Sequence, residues 1–237
     1  MLASLGVSTS MNKMRETEEK KLYLYSLFIV MLLFAVISTF DDHNTDLFVR
    51  EGGVVESLTA ILYFSCFAYL VREGKLPFVQ KYYYLASVPL LFGLRELDFH
   101  SRFTTESVLR GSFYIRGHVP FYEKIIGGIM VLVGLANVFL IIRNHRAAFL
   151  LELKKGSARP VGVLLVIVFI VTSLTLDGIA RKVASIGIKL DPAIVRYCEI
   201  LEETSELGIA ITLMIMFLCY FRHEAQKSGN VGTETNP

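Results

Sequence analysis

The sequence predicts an all-α integral membrane protein: a bundle of about six transmembrane helices with short interfacial segments in its outer loops. Of its 237 residues, 53% are hydrophobic and 19% are charged, whereas a soluble domain carries about 25% charged residues. The hydrophobic residues also come in long blocks, and about 20 such residues form a helix long enough to cross a bilayer. Composition and block length together favour a membrane bundle over a soluble domain.

Six hydrophobic blocks define the predicted helices. They cover residues 22–40, 53–71, 82–100, 121–142, 161–179 and 199–221. The third and sixth blocks reach spanning length only by carrying charged residues into the membrane, and the alternative is that they form short or re-entrant helices. The predicted organisation is a cytoplasmic segment over residues 1–21, a membrane domain over 22–221 and a polar cytoplasmic tail over 222–237.

Lysine and arginine residues set the predicted orientation. The two termini and the loops at 72–81 and 143–160 hold 14 Lys and Arg residues, and the opposite loops hold 8. Because cytoplasmic loops carry an excess of these residues, both termini are expected in the cytoplasm. The first block is longer than the apolar region of a signal peptide, so we expect an uncleaved anchor. The predicted location is a bacterial inner membrane.

Ionisable residues gather at one end of the predicted bundle. Consecutive helices alternate in direction, so the start of an even helix and the end of an odd helix share a leaflet. Those helix ends and their loops hold 15 of the 22 Asp and Glu residues. Charged groups at membrane depth cost several kcal/mol unless they are paired, hydrated or bound to an ion. The pattern predicts a polar pocket that opens at the extracytoplasmic face.

Helical spacing selects the candidate site residues. Glu199, Glu202, Glu203 and Glu206 form one stripe on the sixth block, and Glu96 and His100 lie one helical turn apart on the third. We predict catalytic roles for Glu96, Asp98, His100 and Glu203, substrate binding by Arg95, Arg116 and Arg181, and a metal site of Glu56, Glu96, His100, Glu202 and Glu203. We also expect Glu96 and Glu203 to face each other's helices. The alternatives are charges that extend to the membrane surface and an ion-pair network that only joins helices.

These residue types suit a divalent metal ion and a lipid. Carboxylates bind Mg²⁺, Ca²⁺ or Mn²⁺, an added histidine allows Zn²⁺, and a bound metal activates water for hydrolysis. Arginine binds phosphate and carboxylate groups through two parallel hydrogen bonds. The leading hypothesis is a hydrolase or transferase, with a divalent metal ion of open identity, that acts on a lipid or lipid-linked anionic substrate.

Two other function classes stay open. The same carboxylates suit a proton- or cation-coupled transporter or channel, and a third alternative is a non-catalytic assembly or sensor protein. The plan of polar helix ends around a metal resembles membrane-embedded hydrolases of the ceramidase and adiponectin-receptor type, whose paired histidines this sequence lacks, so no residue role is carried over. The net charge of only +2, without a cluster of basic and aromatic residues, argues against nucleic acid and leaves membrane lipids as partners.

The outer loops over residues 101–120 and 180–198 mix basic and apolar residues. Such segments either lie flat in the membrane interface or are solvated basic loops. Four aromatic residues fit an aromatic belt at the outer interface: Phe113, Tyr114, Phe121 and Tyr122.

Overall fold

The computed structural model describes residues 2–50, 52–99, 103–108 and 110–231, and this part of the chain is all-helical, without a β-strand. Its helices are α1 (Leu2–Ile37), α2 (Asp42–Val49), α3 (Val54–Lys81), α4 (Tyr83–Glu96), α5 (Gly111–Ile115), α6 (Phe121–Lys154), α7 (Ala158–Leu176), α8 (Ile179–Ala184) and α9 (Pro192–Val231). Each of the six predicted blocks falls on one of these helices, so the all-α class is confirmed.

Five of the described helices are long and apolar enough to cross a membrane. They are Lys13–Ile37, His43–Lys81, Phe121–Lys154, Ala158–Leu176 and Pro192–Gln226. The remaining predicted block forms α4, which has 14 residues and a length of about 21 Å, against about 30 Å for the hydrocarbon core of a bilayer. The helix ends before Asp98, whose φ of 53° is left-handed and therefore cannot continue a right-handed helix.

Helices continue into two segments that were expected to be cytoplasmic loops. α6 runs on to Lys154 because residues 143–154 are rich in Arg, Ala, Leu, Glu and Lys, which are strong helix formers. α3 runs on to Lys81 but breaks at Lys75, whose φ is 53°, two residues before Pro77. The helices therefore extend beyond the limits that hydrophobicity alone sets. α1 and α9 also continue without interruption through residues 21 and 222, where the sequence predicted the limits of the membrane domain.

The described residues divide into two compact units, one within Met1–Glu56 and Phe149–Pro237 and the other within Ser57–Ala148. In the first unit α1, α7 and α9 pack together as a three-helix bundle, and α2 and α8 also contact α9. The three helices approach closely at Gly208 of α9. A Cβ at this position would lie 2.8 Å from the Phe169 ring of α7 and 2.8 Å from Val30 of α1.

In the second unit, polar side chains join α4 to α6. Ser87 of α4 donates a hydrogen bond to Oδ1 of Asn137 on α6 at 2.7 Å. One end of the same pair of helices carries a hydrogen bond of 3.1 Å between the Tyr84 hydroxyl and Nε2 of His145. In lipid, hydrogen bonds of this kind stabilise a helix pair by about 0.6 kcal/mol on average.

The segment that follows α4 has a small core of its own. Val108, Phe113 and Val119 are buried against one another, and a Cβ on Gly127 of α6 would lie 3.0 Å from both Val108 and Phe113. Phe113 is 0% exposed, so its assignment to a lipid-facing aromatic belt is wrong. We call the described residues 103–108 and 110–120 the cap segment, because they pack over the start of α6.

Candidate functional site

The predicted site residues are divided between the two compact units. Arg95, Glu96, Asp98 and Arg116 belong to the unit of residues 57–148, and Glu56, Arg181, Glu202 and Glu203 belong to the other. His100 lies outside the described residues. The expected pairing of Glu96 with Glu203 therefore stays a prediction.

Glu96 is the most buried of the predicted catalytic residues that the structure describes. It is the last residue of α4 and is 6% exposed. Its Oε1 lies 3.7 Å from Nη1 of Arg95, so these two predicted site residues are brought together. Asp98 forms the turn that follows the helix.

Arg116 is bound to a carboxylate within the cap segment. Its Nη1 donates to Oε1 of Glu106 at 2.6 Å, and Nε2 of His118 lies 2.9 Å from the same oxygen. The hydrogen bond from Arg116, aided by that from His118, holds the pKa of Glu106 below its ordinary value. An anionic substrate at Arg116 would have to share the guanidinium with Glu106. Spacing along the chain did not predict Glu106 as the partner of Arg116, because these two residues of an irregular segment match no helical or strand period.

A half-open cavity of about 280 Å³ lies where Phe99, the cap segment and the start of α6 meet. Its described lining residues are Phe99, Phe103, Thr104, Val108, Tyr122, Glu123, Ile126 and Met130. Most of these side chains are apolar, and Glu123 is the one carboxylate among them. Ligand cavities in proteins have this composition, with apolar walls, a few placed polar groups and a volume from about 300 Å³ upward.

Glu123 is 6% exposed and accepts three hydrogen bonds. Its Oε2 accepts the backbone N–H of Thr105 at 2.7 Å. Its Oε1 accepts the Thr105 hydroxyl at 3.1 Å and the Tyr122 hydroxyl at 3.3 Å. These bonds fix the carboxylate at the wall of the cavity and tie the cap segment to α6.

The start of α6 explains why this carboxylate reaches the cap segment. Glu123 is the third residue of α6, where a Glu side chain commonly turns back to the N–H of the residue before the helix. That residue is Pro120, which has no N–H to donate, and the carboxylate instead accepts the N–H and hydroxyl of Thr105. From the sequence, Glu123 is predicted only to lie at the start of a helix. The structure shows that it also lines the cavity.

In the first unit, the acidic stripe of α9 runs from the exposed Glu199 into the helix bundle. Glu202 and Glu203 are half-buried. Glu206 is 4% exposed, and its Oε1 accepts a hydrogen bond from Ser173 of α7 at 2.6 Å. The stripe that helical spacing predicted therefore reaches a buried carboxylate that binds a neighbouring helix.

Glu56 and Arg181 are both engaged in local structure. Oε2 of Glu56 accepts the N–H of Gly52 at 2.6 Å, which is the pattern of a carboxylate that caps the start of its helix. Arg181 is exposed and folds over Gly178, where a Cβ would lie 2.6 Å from Nη2 of Arg181. Gly178 has a left-handed φ of 56°.

Arg196 makes a connection that sequence reasoning missed. Its Nη2 donates to the carbonyl oxygen of Phe40 and, at 2.6 Å, to Oγ1 of Thr45. α9 is thereby joined to α2 and to the turn between α1 and α2. In the sequence Arg196 is one of several basic residues in an outer loop, and its spacing gave no reason to select it.

The predicted metal site gains no support from the side chains that the structure describes. Within residues 2–50, 52–99, 103–108 and 110–231, no group of three or more His, Cys, Asp or Glu could hold a metal ion. The predicted ligand His100 is outside those ranges. Comparisons with known protein families, with curated proteins and with solved structures found no match for the chain.

Proposed function

We propose that the protein is a multi-pass membrane enzyme, a hydrolase or transferase, which binds a lipid or lipid-linked substrate in the cavity beside Glu123. The observation that carries the proposal is a cavity of about 280 Å³ in which apolar walls meet a buried carboxylate. An amphiphile has a hydrocarbon part and a polar part, and the lining suits both. The hydrocarbon would contact Phe99, Phe103 and Met130, and the polar group would reach Glu123.

Carboxylates are proposed to supply the acid–base chemistry. Glu123 would take a proton from the attacking water or acceptor hydroxyl and return it to the leaving oxygen, so that the cycle gains and loses no proton. The predicted catalytic roles remain with Glu96, Asp98, His100 and Glu203, and anion binding remains with Arg95, Arg116 and Arg181. A divalent metal ion held by Glu56, Glu96, His100, Glu202 and Glu203 also remains a prediction, and elemental analysis of the purified protein tests it.

Filling the cavity tests the proposal. Met130→Trp places a large ring in the cavity wall, whereas Leu132→Trp, at a position that is 66% exposed on the same helix, leaves the cavity unchanged. We expect the wild type and Leu132→Trp to retain bound lipid after purification and to convert components of a membrane lipid extract. Met130→Trp should lose both properties. Equal lipid retention and turnover in all three proteins would contradict the proposal.

We further propose that α4 joins the five long helices as a sixth membrane element, in a bacterial inner membrane with both termini cytoplasmic. Exposed apolar side chains along α6, such as Ile129, Leu132 and Leu135, support contact with lipid, and the Lys and Arg distribution supports the orientation. The test uses a cysteine-free background that carries Gly117→Cys or Lys155→Cys. In intact cells an impermeant thiol reagent should label the first cysteine and not the second, and the reverse pattern would overturn the orientation.

A transporter or channel is the second candidate, and Glu206 favours it. A buried carboxylate that binds Ser173 inside a bundle of apolar helices resembles the carboxylates that carry protons through membranes. Reconstituted protein separates the two functions. Proton or cation flux that Glu206→Gln abolishes and Glu123→Gln leaves intact, without any lipid product, would favour transport over catalysis.

A further inference from the structure

We infer that the cavity selects an amphiphile whose headgroup offers an uncharged or cationic hydrogen-bond donor, a hydroxyl or an amine, and that it disfavours a phosphate at Glu123. This inference rests on the proposed function, since it names the chemical class of the lipid that the cavity would hold. It also assigns different positions to two parts of the substrate. The hydrogen-bond donor would contact Glu123, and any anionic part would bind away from this carboxylate.

The hydrogen bonds of Glu123 leave room for another donor. An ionised carboxylate has about four acceptor positions, two on each oxygen. Oε1 already accepts the hydroxyls of Thr105 and Tyr122. Oε2 accepts the backbone N–H of Thr105 at 2.7 Å. The second acceptor position of this oxygen is available to a donor bound in the cavity that Glu123 lines.

The charges at the cavity wall argue against an anionic headgroup. Glu123 places a carboxylate in the lining. A phosphate bound beside it would meet a charge of the same sign, and like charges repel each other. An amine would instead form a charge-assisted hydrogen bond with the carboxylate. A hydroxyl would form a single hydrogen bond with it.

The volume of the cavity suits part of a lipid. At about 280 Å³ it lies at the lower limit for ligand cavities, so it accommodates a headgroup donor and the adjoining section of one hydrocarbon chain. The rings of Phe99 and Phe103, with centroids 4.8 Å apart, form an apolar wall for that section.

The absence of tryptophan from the chain allows a direct binding assay. Phe103→Trp, at a lining residue that is 68% exposed, places a single fluorophore at the cavity in the full-length protein. Phe139→Trp, on the exposed side of α6 and outside the cavity lining, is the matched control. The probes are dodecyl chains brominated at the far end, because bromine quenches nearby tryptophan, with an amine, hydroxyl, methyl ether or phosphate head.

The Phe103→Trp protein should bind the amine and the hydroxyl probes about tenfold or more tightly than the methyl ether, because hydrogen bonds to a charged group are among the stronger ones. The phosphate probe should bind most weakly. Adding Glu123→Gln should bring the amine within about threefold of the ether and improve binding of the phosphate. Adding Glu73→Gln, which removes an exposed carboxylate of α3, should leave the ranking unchanged.

The outcomes distinguish this inference from the proposed function. Equal quenching of Phe103→Trp by all four heads, with weaker quenching of Phe139→Trp, would overturn the headgroup preference and leave a lipid-binding cavity. Equal quenching of both reporters by every probe would overturn the lipid-binding cavity itself. If Glu123→Gln does not fold, the ranking of the four heads with the native carboxylate still decides the inference.

Discussion

Replacing Gly208 by alanine tests the close packing of α1, α7 and α9. The added methyl carbon would lie 2.8 Å from the Phe169 ring and 2.8 Å from Cγ2 of Val30, whereas carbon atoms in contact are about 3.5–4.0 Å apart. The ring and the β-branched side chain belong to two different helices, so both give way only if the helices separate. Overpacking of this kind costs about 1–3 kcal/mol, against a gain of up to about 1 kcal/mol from replacing a helical glycine by alanine.

The same substitution at Gly134 of α6 is the matched control, because a Cβ there would meet nothing within 4 Å. Both variants gain the helix-propensity contribution, so the difference between them isolates the overpacking. We expect the Tm of Gly208→Ala to lie about 2–12 °C below that of Gly134→Ala, measured by thermal unfolding in one detergent at one protein concentration. Equal Tm values for the two variants would refute the three-helix packing.

Three further predictions concern the second unit. Phe113→Ala should lower the free energy of unfolding by about 3–5 kcal/mol, measured by chemical denaturation, and should speed proteolysis within the cap segment. Because Arg116 lowers the pKa of Glu106 from the ordinary 4.5, their ion pair stabilises the cap segment above that pH and is lost as the pH falls through the lowered pKa. The protection of cap-segment amides from hydrogen exchange, relative to the intrinsic exchange rate at each pH, should therefore fall on acidification, and Glu106→Gln should remove this dependence. Ser87→Ala, which breaks the hydrogen bond to Asn137, should cost about 0.6 kcal/mol, measured by chemical denaturation against the wild type.

Hydrophobic patterning predicted the six longest of the described helices and could not predict their ends. All six apolar blocks became helices, because about 20 consecutive apolar residues have few other stable arrangements. α4 ends at Glu96 because of the backbone conformation that follows it, and α6 continues to Lys154 because of helix propensity. Counting apolar residues detects neither effect. The break at Lys75 follows from a positive φ that the sequence Gly-Lys-Leu-Pro only suggests.

The site was less accessible to sequence reasoning than the fold. Helical spacing placed Glu203 in one stripe with Glu206, because i, i+3, i+4 and i+7 share a face, and the structure shows that Glu206 is buried. The contacts of Glu123 with Thr105 and of Arg116 with Glu106 involve residues of the irregular cap segment. Such a segment has no regular spacing from which contacts could be predicted. Phe113 has the composition of an interfacial aromatic residue, and only its packing under Val108 and Val119 shows that it is a core residue.

The central claim is that the cavity beside Glu123 holds a lipid, and an experimental structure of the protein in a lipid nanodisc tests it most directly. The account predicts elongated density along Phe99, Phe103 and Met130, with its polar end within hydrogen-bond distance of Oε2 of Glu123. The same structure of Met130→Trp should lack that density. A cavity filled only with water in the wild type, or closed by its own side chains, would contradict the claim.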